Sequence, residues 1–222
     1  MLNAGGNLPQ NALALNRLCG AYWAPLYAYL RRQGHTPHNA QDLTQGFLAR
    51  VIARDDLGTV GPEKGRFRTF LLTALRNFTI KRALYDKALK RGGSHPSLSI
   101  DPEEAERLCG PDLNSESAEL AYDRRWCRTI LAHAFQRLRD EQSARGRLSL
   151  FESLAPFLDG ADSGDYEAVS KRLGLNPGTV AVTVHRLRSR LRELVRAEVA
   201  QTVASSSQVE EELKYLMDVW QR

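Results

Sequence analysis

The sequence predicts an all-α chain: two small helical domains joined by an acidic linker, the C-terminal one containing a helix-turn-helix. Three observations carry this. Apolar residues recur at spacings of three and four along most of the chain, which is the helical period. Gly174, Asn176 and Pro177 punctuate a pair of short amphipathic segments as one helix end followed by one helix start. Blocks of opposite charge divide the chain, and its 222 residues suit one large or two small domains, each with a buried core.

In chain order, residues 1 to about 10 are small and polar and read as a loose lead-in. From Ala12 to Arg32 the positions Leu15, Leu18, Cys19, Tyr22, Trp23, Leu26, Tyr29 and Leu30 fall on one helical face, with Pro25 as an expected bend. The break GHTPHNA leads into a second helix with Ala40, Leu43, Phe47 and Val51 inward. A third runs through Phe67, Phe70, Leu71, Ala74, Leu75, Phe78, Ile80, Leu84, Tyr85 and Leu89, all read as able to supply a core face. Residues 94–119 are rich in Pro, Ser, Gly and acidic side chains and read as a linker. Helical packing resumes over Ala121 to Arg139 through Trp126, Ile130, Ala134 and Leu138, and Leu148 to Leu158 adds a further helix.

The stretch from Asp165 to Val195 has the clearest punctuation in the chain. Tyr166 to Leu173 is a helix that stops at Gly174, a residue suited to the left-handed conformation past a helix end. Asn176 is a preferred N-cap and Pro177 fits the first turn, where a missing N–H costs nothing. Val180, Val184, Leu187, Leu191 and Leu194 then give one apolar stripe, while Thr179, Thr183, His185, Arg186, Arg188, Arg190 and Arg192 occupy the other faces. Two short helices, a Gly-containing turn and a long basic second helix form the pattern whose second helix enters the DNA major groove. After Val199, Val209, Leu213, Leu216, Met217 and Trp220 mark a short amphipathic tail expected to pack on the chain's own domains.

Charge and composition narrow the chemistry. The net charge of +5 and pI near 9.3 mildly favour a polyanionic partner. Between Lys64 and Arg91 nine basic residues face a single Asp86, whereas from Asp101 to Glu119 seven acidic residues face Arg107 alone. Aromatics interleaved with cations along 66–90 suit single-stranded nucleic acid, because phosphates pair with Lys and Arg while unstacked bases rest on rings. Cys19, Cys109 and Cys127 are far apart and support neither a disulfide framework nor a zinc site, and no cofactor or metal is expected. No P-loop, nucleophile motif or convergent His/Asp/Glu set is present, so an enzyme is not expected. No apolar run reaches membrane-spanning length and the N-terminus lacks a signal-peptide pattern, which makes a cytoplasmic protein the expectation.

Three segments carry a resemblance: NAQDLTQGFLARV at 39–51, GRFRTFLLTALRNFTIKRAL at 65–84, and YEAVSKRLGLNPGTVAVTVHRLRSRLREL at 166–194. With them, residues 12–92 resemble the second conserved domain of bacterial RNA polymerase sigma factors of the extracytoplasmic-function group, within the sigma-70 superfamily. Residues 125–196 resemble the fourth. The resemblance divides the chain into a region-2-like domain at 1–92, an acidic linker at 93–120, a region-4-like helix-turn-helix domain at 121–199 and a C-terminal tail at 200–222. It implies that Asp42, Leu43, Gln45 and Arg50 meet the clamp helices of the polymerase's largest subunit. Arg66, Phe67, Arg68, Arg76, Asn77, Lys81, Arg82 and Lys87 would recognise and open the minus-ten element. Asn176, Thr179, Thr183, Arg186 and Arg190 would read the minus-thirty-five element.

Further partners implied by the resemblance are the polymerase flap region, promoter DNA and, in some members, an anti-sigma protein. Three positions depart from the family pattern. Ala181 and Val182 stand where basic or polar residues are common, and Gly46 stands where a carboxylate is common. The function implied is that of a subunit that binds core polymerase, directs it to promoters and supports their opening. The alternative is a free-standing helix-turn-helix regulator whose N-terminal half is a sensor or dimerisation module, and residues 39–51 with the aromatic-basic stretch discriminate the two.

Overall fold

The computed structural model describes residues 8–53, 66–89, 117–158, 166–203 and 205–221. These form eight α-helices and no strand. They are α1 (Leu8–Arg32), α2 (Pro37–Ala53), α3 (Phe67–Leu89), α4 (Ala118–Ala144), α5 (Leu148–Leu154), α6 (Tyr166–Leu173), α7 (Pro177–Ala200) and α8 (Ser206–Gln221). A 3-10 turn over Ala155–Phe157 follows α5, where the sequence predicts a single helix to Leu158. The expected linker lies outside the described residues apart from Ser117 to Leu120, where the Ser117 hydroxyl accepts the Leu120 N–H and caps α4. Most of the expected lead-in also lies outside them, and α1 begins at Leu8, four residues before the expected start.

The chain packs as two compact units. The first comprises the described residues up to Thr129 together with those from Ala200 onward, and the second is Ile130–Val199. The dividing point therefore falls inside α4, and the segment carrying α8 belongs with the N-terminal helices.

In the first unit α1 does not break at Pro25, which is buried within the continuous helix. The helix ends at Gly34, whose φ of 87° is a left-handed conformation that costs glycine little. The N–H groups of Gly34 and His35 return to the carbonyls of Arg31 and Leu30, satisfying two of the last orphan acceptors. Thr36 then caps α2 by accepting the Asn39 N–H at 3.3 Å. Tyr22, Leu26, Tyr29 and Leu30 of α1 and Ala40, Leu43, Phe47 and Val51 of α2 are buried, as their spacing predicts, and Tyr27, which the spacing does not single out, is buried with them. Leu71 and Leu75 of α3, Tyr122 and Trp126 of α4, and Val209, Leu216 and Val219 of α8 are buried as well. The expected face of α3 is cut short: Ile80, Leu84 and Tyr85 are 59%, 63% and 54% exposed. Helical spacing is kept there, but among the described residues nothing covers the face.

The second unit is built on one apolar cluster. Ala134 and Leu138 of α4, Phe151 and Leu154 of α5, Val169 of α6, and Val180, Val184, Leu187 and Leu194 of α7 are all buried in it. Phe135 meets Phe151 at 5.3 Å between ring centroids, and Phe157 meets Tyr166 at 5.2 Å.

Gly46 lies on an exposed face of α2, and a Cβ there would sit 3.6 Å from the Phe78 ring, an ordinary van der Waals distance. The glycine thus costs helix stability without relieving a clash. Gly46→Ala should raise the unfolding free energy by about 1 kcal/mol in urea denaturation, and an unchanged or lowered midpoint would contradict this.

Candidate nucleic-acid interface

Three of the described surfaces contain the residues that the sequence singles out. On α2 Asp42 is partly exposed and 3.5 Å from the His38 ring at the preceding turn. Gln45 and Arg50 are also partly exposed, but Leu43 is only 9% exposed and packs in the core. Three of the four residues therefore reach the surface, and Leu43 holds the helix from beneath.

The α3 set divides in two. Near its N-terminus the cations are already paired. Arg68 is 7% exposed and donates to Asp123 of α4 and Glu212 of α8. Its guanidinium lies over the Tyr215 ring at 4.3 Å, and Tyr215 donates to the other oxygen of Asp123. Tyr122 fixes the backbone by donating to the Arg68 carbonyl at 3.0 Å. Arg66 joins from one side, with Nε 2.8 Å from the second Glu212 oxygen and a terminal nitrogen 3.6 Å from Glu211. Phe67 is half-buried, edge-on to Tyr22 at 5.3 Å.

This cluster sets two guanidinium groups against two buried carboxylates, with Glu211 outside. Burial acts to lower the Arg68 pKa, but Glu212 and Asp123 more than offset it and the net shift is upward. Burial raises the Asp123 carboxyl above its ordinary value, against the opposing pull of Arg68. Removing Arg68 alone would leave Asp123 buried with no cation and Glu212 with only Arg66, the costly way to break such a cluster.

Further along α3 the side chains turn outward. Arg76 is exposed, donating to the Tyr29 hydroxyl at 2.9 Å and pairing with Glu119. Asn77 is exposed, and so is every residue from Ile80 to Tyr85, Lys81 and Arg82 included. Lys87 lies in α3, but its side chain falls outside the described residues. Ile80, Leu84 and Tyr85 are thus large apolar side chains left on the surface among cations.

The third surface is formed by α6, the turn Gly174–Asn176 and α7. Gly174 has φ 65°; its N–H and that of Leu175 return to Lys171 and Ser170, a Schellman closure of α6. Asn176 then caps α7, its side-chain oxygen accepting the Gly178 N–H at 2.8 Å. Val180 and Val184 are drawn into the core, which leaves Asn176, Thr179, Val182, His185 and Arg186 exposed at the first turns. Thr183 is partly exposed and donates to the Thr179 carbonyl at 2.7 Å.

Arg190 differs from Arg186. It makes a two-pronged pair with Glu141 of α4 at 3.0 and 2.8 Å and a further bond to Glu193 at 2.6 Å. Arg188 donates twice to the Phe157 carbonyl, at 2.9 and 2.6 Å. These two arginines seat α7, whereas Arg186 and Arg192 are exposed.

The sequence reading misses Asp123, Glu212 and Tyr215. A signal exists in the register. Glu212 falls three residues after Val209 and four before Leu216, and Asp123 falls three before Trp126, so both carboxylates sit on apolar stripes. Among the described residues no group of His, Cys, Asp and Glu side chains is placed to hold a metal ion, and no helix is long and apolar enough to cross a membrane. No protein-family model, curated protein or solved structure matches the chain.

Arg68→Met should destabilise the first unit by about 3–5 kcal/mol, read as an early loss of helical signal in thermal or denaturant unfolding; a variant as stable as the parent would dismiss the cluster as a structural tie. The second unit carries a pH signature. The hydrogen bonds from Arg190 hold Glu141 below the usual carboxylate range. A depressed carboxyl contributes stability that is present above its unfolded pKa and is lost as pH falls through the folded one. Glu141→Gln should therefore cost about 1 kcal/mol at neutral pH, and the cost should vanish in acid; a loss that persists unchanged in acid would refute the pairing.

Proposed function

We propose that this chain is a promoter-specificity subunit of the sigma type, which binds core RNA polymerase, directs it to promoters and supports their opening. The observation that carries the reading is the outer half of α3. Its exposed Ile80, Leu84 and Tyr85 stand among Asn77, Lys81 and Arg82, and such a surface suits a single strand. Cations hold the phosphates while flipped or unstacked bases rest on apolar and aromatic side chains, at a cost of a few kcal/mol for leaving the stack. A regulator that reads only duplex DNA has no use for that surface, so this feature favours the sigma reading over the free-standing regulator.

The remaining parts take roles consistent with it. Helices α6 and α7 act as a helix-turn-helix, with Asn176, Thr179, Val182 and Arg186 toward the major groove and Arg190 holding α7 in place. Val182 offers a contact to a thymine methyl where family members more often place polar groups. The partly exposed Asp42, Gln45 and Arg50 of α2 form the polymerase-docking patch. No catalytic group is required, since the polymerase supplies the chemistry.

The test is co-migration of the purified chain with sigma-free core polymerase, followed by run-off transcription on genomic fragments. Stable binding that Asp42→Arg abolishes, with new transcript starts, is the expected outcome. Salt-sensitive attachment to duplex DNA without polymerase binding would transfer the assignment to the free-standing regulator. Within the active complex, Lys81→Ala should reduce promoter opening at unchanged duplex binding, and Arg186→Ala should weaken duplex binding by about 1–3 kcal/mol, as read by permanganate footprinting and mobility shift.

A further inference from the structure

We infer that α8 is an internal competitor for nucleic acid, an autoinhibitory helix whose acids occupy the cationic corner at the start of α3. The inference rests on the reading of α3 as a nucleic-acid surface. Three groups that would bind phosphate converge at that corner, and the segment from 200 onward takes all three. The Phe67 N–H, a donor at the open N-terminus of α3, is given to the Thr202 carbonyl at 3.2 Å. Arg66 is held by Glu212 at 2.8 Å and Glu211 at 3.6 Å. Arg68 shares Glu212 through its Nε. A carboxylate set between two guanidinium groups, beside a helix N-terminus whose first N–H is given to a carbonyl, stands where a phosphate group would be bound.

The charge of α8 matches this role better than that of a simple staple. Its sequence SSQVEEELKYLMDVWQ has Glu210, Glu211, Glu212 and Asp218 against Lys214. Val209, Leu216 and Val219 already supply an apolar seat. A buried ion pair adds little net stability over an apolar pair of the same shape, so Glu212 at a core register is poorly explained by stability alone. It is well explained as one half of an exchangeable contact. Arg68 keeps Asp123 when Glu212 leaves, so the first unit retains one partner for its buried cation. Arg66, whose side chain is 31% exposed, is the group that release of α8 turns over to phosphate.

The experiment uses the full chain and a fluorescein-labelled single-stranded oligothymidine, titrated at several salt concentrations. The variants are Glu211→Gln, the double variant Glu211→Gln/Glu212→Gln, and Lys81→Ala. Glu211 has a 71% exposed side chain, so its substitution carries no folding risk. Both Gln variants should bind more tightly than the parent. The slope of log affinity against log salt should steepen by about 0.7 for each cation freed to a phosphate.

In the parent chain, amide hydrogen exchange of residues 206–221 should accelerate when the oligonucleotide is added. If the parent and both Gln variants bind equally while Lys81→Ala binds less, the competitor role is overturned and the reading of α3 stands. If none of the chains binds, both fall together. Unchanged or slowed exchange in α8 on binding would also overturn the competitor role, and that measurement does not depend on how the variants fold.

Discussion

Arg68 joins helices drawn from distant parts of the chain. Its partners lie 55 residues away at Asp123 and 144 residues away at Glu212, and its own backbone carbonyl is fixed by Tyr122. A guanidinium suits this position because its planar fork donates in several directions at once and does not lose its proton. The aromatic rings of Trp126 and Tyr215 flank it, so the cation is enclosed on faces and edges alike. Arg68 thereby ties α3 to both α4 and α8 within the first unit, alongside the apolar packing of Leu71, Leu75, Trp126 and Leu216.

The second unit solves a similar problem with less burial. Helix α7 must keep one side in the core while presenting its first turns outward. Val180, Val184, Leu187 and Leu194 seat it through apolar packing, and Arg188 and Arg190 fix its rotation by bonds to Phe157 and Glu141. Arginines on this helix thus serve opposite purposes depending on position. Arg188 and Arg190 hold it in place, while Arg186 and Arg192 keep outward positions.

Most helix identities were readable in advance because the local rules agree with one another. The end of α6 at Leu173 and the start of α7 at Pro177 follow from a glycine, an asparagine and a proline whose preferences are local. Where tertiary context decides, the pattern misled. Ile80, Leu84 and Tyr85 keep the helical spacing of a core face, yet periodicity records which residues share a side and not whether anything lies against it. Arg68 and Arg190 carry the same formal charge as Lys81 and Arg186, and only distant carboxylates separate the paired cations from the outward ones. At Leu43 the helical period is the better guide: it turns the residue inward, where the resemblance sets it on the docking surface.

The first unit is discontinuous in sequence, whereas the second is an unbroken stretch. On a ribosome the chain emerges from the N-terminus, so Ile130–Val199 has all its core residues available before α8 exists. Throughout that interval Arg66 and Arg68 lack Glu212, and the buried seat for Val209, Leu216 and Val219 stands open to solvent. The residues that pair Arg66 and Arg68 and fill the apolar seat are thus added to the chain only after every residue of the second unit, so the first unit is completed by the segment made after its neighbour.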